Sequence, residues 1–203
     1  MNNQRSSLKG ILFILIIISL NSCKKNSIPT NESRVNKNLL VEIQNLSTTS
    51  SKRLAFGSLL PIEKLTLMKM QFDYILENVP LKSDQKTLIE KMKSTLTEDL
   101  YAEDEGIRAK YRNTIVKAFQ EMCLQKFEMS FIITYFGSII NPNLDLEAQR
   151  NPPADNGCGC STNSDYCYWG SHCDRPLGNY CTTTIDGCGF LLDYNCNGSC
   201  YQS

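Results

Sequence analysis

Cysteines crowd at the C-terminal end of this 203-residue chain. Eight of the ten cysteines lie in residues 158–203, where they form about one residue in six, well above the ~8–10% typical of a disulfide scaffold. Few large apolar residues accompany them, so a segment this small cannot offset its conformational entropy by burial alone and needs cross-links. We therefore expect disulfides at Cys158, Cys160, Cys167, Cys173, Cys181, Cys188, Cys196 and Cys200.

The spacing of these cysteines favours disulfides over a metal site. Zinc is the competing use of clustered thiols, but zinc sites are usually built from C-x2-C pairs, and this segment has none. Four bridges among eight cysteines can be arranged in roughly a hundred ways, and the sequence does not choose among them. We expect no metal and no other cofactor.

The N-terminus is typical of an exported chain. Two basic residues precede the apolar run Ile11–Leu20, which is too short for a bilayer span of about 20 residues, so residues 1–22 are predicted to be a signal peptide. The next motif, Leu20-Asn21-Ser22-Cys23, resembles a lipobox, which predicts acylation of Cys23. Ordinary secretion with an incidental cysteine is the alternative.

Residues 23–38 are polar and are predicted to be a tether between the lipid and the folded protein. Acylated or not, the mature chain would reach a compartment where disulfides persist. We expect a cell-envelope lipoprotein that is held at the membrane by its N-terminal lipid.

Residues 39–140 are predicted to be helical, because they are poor in glycine and proline and their apolar residues recur every three or four positions. Pro61 and Pro80 suit the start and end of one helix, and Ser83 suits the N-cap of a second. A third helix follows Gly106 and runs towards Gly137, with a break near 128–130. The apolar stripes are Leu65, Met68, Phe72, Ile75, Leu76 and Val79; Leu88, Ile89, Met92 and Leu96; and Ile107, Tyr111, Ile115, Phe119, Met122 and Phe127.

These patterns predict a mainly α N-terminal region, a bundle of three to four helices, followed by a small disulfide-rich module with short strands and turns. Residues 141–157 are polar and proline-rich, and are predicted to link two separate domains.

No catalytic site stands out in the helical segment. Cys123 lies on an apolar helical face, and the single histidine, His172, is in the cysteine-rich segment, so Cys123 is interpreted as a buried, unreactive thiol. An intermolecular disulfide through it has no support in the sequence. The zero net charge argues against nucleic-acid binding, which needs a basic excess. We expect a protein that is not an enzyme.

The module resembles the bacteriocin fulvocin C-related family. The likeness is carried by the run 158–167 (CGCSTNSDYC), the Tyr180-Cys181 region, Thr184–Gly189 and Cys196-Asn197-Gly198, with all eight cysteines matched in order. It covers about a quarter of the chain. It implies antibacterial activity of the module, either released from the precursor or displayed by it, against competing bacteria.

The composition of the module limits how it would act. Residues 151–203 hold five aspartates and one arginine, so this is not a cationic peptide attracted to anionic lipid. In so small a module the aromatic residues are expected to be largely exposed, where they would anchor it to a surface or membrane component of the target cell. The alternative is that half of them cover the cystines. The candidates for target contact are Tyr166, Tyr168, Trp169, Tyr180 and Tyr194.

Two functional hypotheses follow from these patterns. In the first, the chain is an exported precursor or carrier of a bacteriocin-like module. In the second, it is a surface lipoprotein whose module binds a ligand, in an inhibitor-like or adhesive role, without killing.

Overall fold

The computed structural model describes residues 35–144, 158–164, 166–167, 171–175, 181 and 183–202. The predicted signal peptide, Cys23, most of the predicted tether and residues 145–157 of the predicted linker lie outside this description. The described helices include none with the length and apolar character needed to cross a membrane.

Residues 35–144 form the helical part. Its elements are α1 (Lys37–Gln44), α2 (Thr49–Gly57), α3 (Pro61–Asn78), α4 (Ser83–Thr95), a 3-10 turn (Glu98–Tyr101), α5 (Glu105–Tyr111), a π-helical turn (Arg112–Val116), α6 (Lys117–Lys126) and α7 (Met129–Phe136).

Helix α3 forms where the apolar stripe predicts it. Pro61 occupies the first helical position, and the backbone N–H of Leu60 donates to Glu63 Oε2 at 3.0 Å. Met68 and Phe72 are fully buried, so the predicted stripe is the face that packs into the core. The helix ends at Asn78, two residues before Pro80, which cannot continue it.

Helix α4 differs from its prediction by one position. Ser83 is the first residue of the helix, and the N-cap is Lys82, whose backbone N–H donates to Gln85 Oε1 at 2.9 Å. The N-cap thus lies one residue before the predicted position, and the side chain of Gln85 satisfies an N–H group at the start of the helix.

The long third stripe corresponds to α5, the π turn, α6 and α7. The Asp104 carboxylate caps α5 by accepting from the N–H groups of Gly106 and Ile107 at 2.8 and 3.2 Å. The predicted break near 128–130 is confirmed, since α6 ends at Lys126 and α7 begins at Met129.

Helices α1 and α2 extend the predicted bundle at its N-terminal end. The hydroxyl of Thr48 caps α2 by accepting from the N–H of Ser51 at 3.1 Å, and Phe56 from this helix is fully buried. Lys52 of α2 is also buried, and its Nζ donates to the Ile139 carbonyl at 3.1 Å.

This buried amine makes stability depend on pH. Burial lowers the pKa of Lys52 from 10.5 to about 8, so between these values the unfolded chain binds a proton that the folded chain does not. Raising the pH from 7.5 to 9.5 should therefore increase this group's contribution to the free energy of unfolding by about 2 kcal/mol. Urea denaturation of Lys52→Met should lack this increase, whereas exposed Lys91→Met should retain it. An equal increase in both variants would contradict the assignment.

The cysteine-rich module, residues 158–203, contains two pairs of short antiparallel strands. Strand β1 (Ser171–Asp174) pairs with β4 (Ser199–Gln202), and β2 (Thr184–Cys188) pairs with β3 (Tyr194–Cys196). The predicted fold class, helices followed by a small disulfide-rich region with short strands, is confirmed.

The helical part and the module share one core. Phe190, Leu191 and Leu192 have no exposed surface and belong to the same apolar cluster as the buried residues of the helices. The ring of Phe190 lies edge-on to Phe136 of α7, with centroids 5.7 Å apart. The prediction of two separate domains is therefore corrected, because the module buries Phe190, Leu191 and Leu192 among the helices, and residues 35–203 form one compact unit.

Candidate functional site

All eight cysteines of the module form disulfides, as the sequence predicts. The pairing that the sequence leaves open is Cys158–Cys181, Cys160–Cys173, Cys167–Cys200 and Cys188–Cys196. Two of these bridges run side by side, because strand pairing places Cys173 opposite Cys200. The sulfurs of Cys160, Cys167 and Cys173 lie within 4.8 Å of one another for this reason. Their proximity is explained by two neighbouring bridges, whose sulfurs are not thiolate ligands.

Residues 186–193 of the module pack against the helices, and we call this segment the acidic clasp. Its sequence is DGCGFLLD, and the aspartates at its two ends are 1% and 0% exposed. Asp186 accepts from Lys64 of α3 and from Arg108 of α5. Asp193 accepts from Arg108 Nε and Arg112 Nε, each at 2.7 Å. Three basic side chains of the helical part therefore hold two buried carboxylates of the module.

Arg108 connects the two ends of the clasp. Its guanidinium donates to both carboxylates, and also donates to the Asp193 carbonyl at 2.7 Å. Burial acts to lower the pKa of Arg108, but the carboxylates of Asp193 and Asp186 raise it overall. Burial raises the pKa of Asp193, although Arg112 and Arg108 oppose that shift. The cluster is thus largely withdrawn from water, where ion pairs depend on complete pairing.

The backbone of the clasp is unusual. Leu191 and Leu192 have φ values of 57° and 58°, a left-handed conformation that L-residues rarely adopt. Such conformations persist when the surroundings fix them. Here the Tyr101 hydroxyl donates to the Leu191 carbonyl at 2.7 Å, and both leucine side chains are fully buried. The helices therefore hold the clasp in a shape that its backbone does not favour.

Two glycines allow the clasp to approach its neighbours closely. A Cβ on Gly189, whose φ is 72°, would lie 2.6 Å from Ser164 Oγ and from Tyr194 Cδ2. A Cβ on Gly187, whose φ is 110°, would lie 3.1 Å from Arg53 Cβ. Arg53 in turn donates from Nε to the Gly187 carbonyl at 3.1 Å, which joins α2 to the start of the clasp.

The structure corrects the expected exposure of two candidate contact residues. Tyr166 is half-buried against the core, and its hydroxyl accepts from the Gln120 side chain at 2.6 Å. Tyr194 is also half-buried, and the Arg112 guanidinium lies 4.8 Å from its ring centroid. Both rings serve the internal contact between module and helices, because the module is packed against helices that the sequence placed in another domain. Tyr168, Trp169 and Tyr180 lie outside the described residues.

Cys123 is buried, as predicted. Its side chain has no exposed surface, and burial raises the pKa of its thiol to about 12. Its sulfur lies 3.7 Å from Met92 Sδ, inside the helical core. A thiol in this position is inaccessible to a second chain.

The residues that hold the clasp were missed by sequence reasoning. The helical segment carries both basic and acidic residues, which are usually solvated, so the sequence does not single out Lys64, Arg108 or Arg112. The available signal was the pair of aspartates that bracket the FLL run of the module, since charges this close to a buried apolar segment are fully buried only when they have partners.

Comparison of the chain with protein-family models, with curated proteins and with solved structures gave no match.

Proposed function

We propose that this protein is an exported carrier that displays a bacteriocin-like, disulfide-stapled module at the cell surface, where the module acts on competing bacteria. The observation that carries the proposal is the docked module itself: four disulfides fix its shape, and the helices hold it through the buried clasp. The antibacterial part of the proposal comes from the resemblance of residues 158–203 to the fulvocin C-related family.

The contacts of the clasp favour a module that is displayed on the helices over one that is released from them. A module that left the helices would expose Phe190, Leu191 and Leu192 to water, and would leave the basic side chains of the helices without their carboxylates. Acylation at Cys23 is part of this proposal, since a lipid anchor would keep the carrier at the envelope. In the displayed form, Tyr168, Trp169 and Tyr180 are the proposed contacts with a surface molecule of the target cell.

An inhibition assay with the full-length oxidised protein tests the proposal. We expect the protein to stop growth of related bacteria, and Tyr168→Ala/Trp169→Ala to require at least about 10-fold more protein if the aromatic rings are anchor residues. Asp84→Asn, a change to an exposed ion pair with Lys126 on the helices, is the matched control and should be as active as the unchanged protein. Intact mass of the exported protein, measured on the same sample, reports acylation and the four bridges. No inhibition across a broad panel by a correctly oxidised protein would contradict the proposal.

The shared core favours a second candidate function. Because Phe190 and its neighbours belong to the core of the helices, the module also fits a permanent part of a surface lipoprotein that binds a ligand without killing. Ile185, which is 70% exposed on strand β2, would lie on the outer face available to such a ligand. This candidate predicts full-length protein on cells, no shed module in the medium and no growth inhibition.

A further inference from the structure

We propose that the helical part is a specific binding partner for the module, and that it holds the acidic clasp without needing the covalent connection through residues 145–157. The partner that its surface fits is a stapled, acidic loop of the form DGCGFLLD, in the same chain or in the module of a second copy. The inference concerns binding between two parts of the protein, so it goes beyond the proposed killing activity and does not depend on it.

Charge complementarity is the first support. The helical part presents Lys64, Arg108 and Arg112 on neighbouring segments, and the clasp presents Asp186 and Asp193. All five side chains are at least four-fifths buried when the clasp is docked. Buried charges that lose their partners are strongly unfavourable, so this surface discriminates against loops that lack both carboxylates.

The geometry of Arg108 adds specificity. One guanidinium donates to the side chains of both aspartates and to one backbone carbonyl, so the two carboxylates must lie at a fixed separation. A planar guanidinium recognises such an arrangement better than a lysine, because its donors have fixed directions.

The backbone of the clasp is recognised as well. Tyr101 donates to the carbonyl of Leu191, and Arg53 donates to the carbonyl of Gly187. Both acceptors belong to residues with positive φ, so these donors select one backbone shape. Between the two aspartates, the apolar side chains of the FLL run fill the helical core.

These contacts all join residues on either side of the connecting segment. The cations and donors belong to residues 53–112, and their acceptors belong to residues 186–193. The interface is therefore complete in itself, and a cut between residues 144 and 158 removes no contact named here.

A nicked full-length protein tests the inference. A protease site is inserted between Arg150 and Asn151, the folded oxidised protein is cut, and the two pieces are followed by size exclusion and native mass spectrometry. We expect both pieces in one complex at about 1 μM protein, as for a standard specific interface. Separation into two species at that concentration would overturn the proposal.

Exchange between copies tests binding of a separate module. Nicked protein is mixed with a nicked, isotope-labelled copy, dissociated in urea without reductant, and returned to buffer. We expect hybrid complexes of labelled and unlabelled pieces, and pieces that stay apart would refute capture from solution. Failure here differs from failure of the killing assay: nicked complexes without growth inhibition refute only the antibacterial function, and growth inhibition with separating pieces refutes only the binding.

Asp186→Asn/Asp193→Asn in the nicked protein tests the role of charge. We expect at least about 10-fold weaker retention of the module, while Asp84→Asn/Lys126→Gln, an exposed pair outside the interface, retains it fully. Circular dichroism of the uncut double aspartate variant shows that the pieces are folded before cutting. Unchanged retention in that folded variant would overturn the assignment of the clasp as the recognised element.

Discussion

Replacing Arg108 by methionine is expected to lower the free energy of unfolding by about 3–5 kcal/mol. Methionine matches the length of the aliphatic stem but leaves Asp193 and Asp186, both almost fully buried, without the guanidinium that joins them. Removing one member of a buried ion cluster is more harmful than removing the whole cluster, because the remaining charge stays in a dry environment. Urea denaturation of the oxidised protein at pH 7 measures the change.

Two comparisons make this result specific. Lys93→Met removes a cation from an exposed ion pair with Asp73 and should change the free energy of unfolding by less than about 1 kcal/mol. Arg108→Met/Asp193→Asn should be more stable than Arg108→Met alone, since it also removes a buried carboxylate that has lost one of its two cationic partners. A loss below about 1 kcal/mol in Arg108→Met would show that the clasp is not held by this residue.

The helical part could be predicted from sequence where the spacing of apolar side chains agrees with proline or glycine at the ends of a helix. Pro61, Pro80 and the apolar stripe between them identify α3, and Gly137 marks the end of α7. Helices α1 and α2 have only 8 and 9 residues, so a spacing of three or four residues repeats too few times in them to identify a helix. Their positions depend on tertiary contacts such as those of Phe56 and Lys52, which no local pattern contains.

The cysteine content correctly predicted the disulfides, but it led to the wrong domain organisation. Disulfide density indicated a module that is stabilised independently of a core, and this led to the prediction of a separate domain. The FLL run at residues 190–192 is the reason that the prediction was wrong: its burial is supplied by helices more than 50 residues away along the chain. Composition counts such residues but cannot say what they pack against.

The candidate site was harder to predict from the sequence than the helices or the disulfides. Charged residues are usually solvated, so Arg108 and Asp193 gave no reason to expect burial. The left-handed backbone at Leu191 and Leu192 contradicts local preference, and only the docked helices account for it. A local rule that fails in this way often marks a place where tertiary contacts carry the function.

Phe190→Ala should destabilise the helices as well as the module, by about 3–5 kcal/mol in the free energy of unfolding. The ring is fully buried, its centroid lies 5.7 Å from that of Phe136, and it belongs to the apolar cluster formed by the helices. Far-UV circular dichroism, which reports mainly on the helices, should therefore show a lower urea midpoint. Near-UV signals of the aromatic rings should change at the same midpoint, because a shared core unfolds cooperatively.

Ile185→Ala is the matched control for this experiment. Ile185 lies five residues before Phe190 in the same module but is 70% exposed, so its truncation should change the free energy of unfolding by no more than about 0.5 kcal/mol. If Phe190→Ala left the helical transition at the wild-type midpoint, the two parts would be separate folding units, and the shared core would not be what couples them. A lower midpoint with a single transition would instead show that the module is a structural part of the protein that carries it.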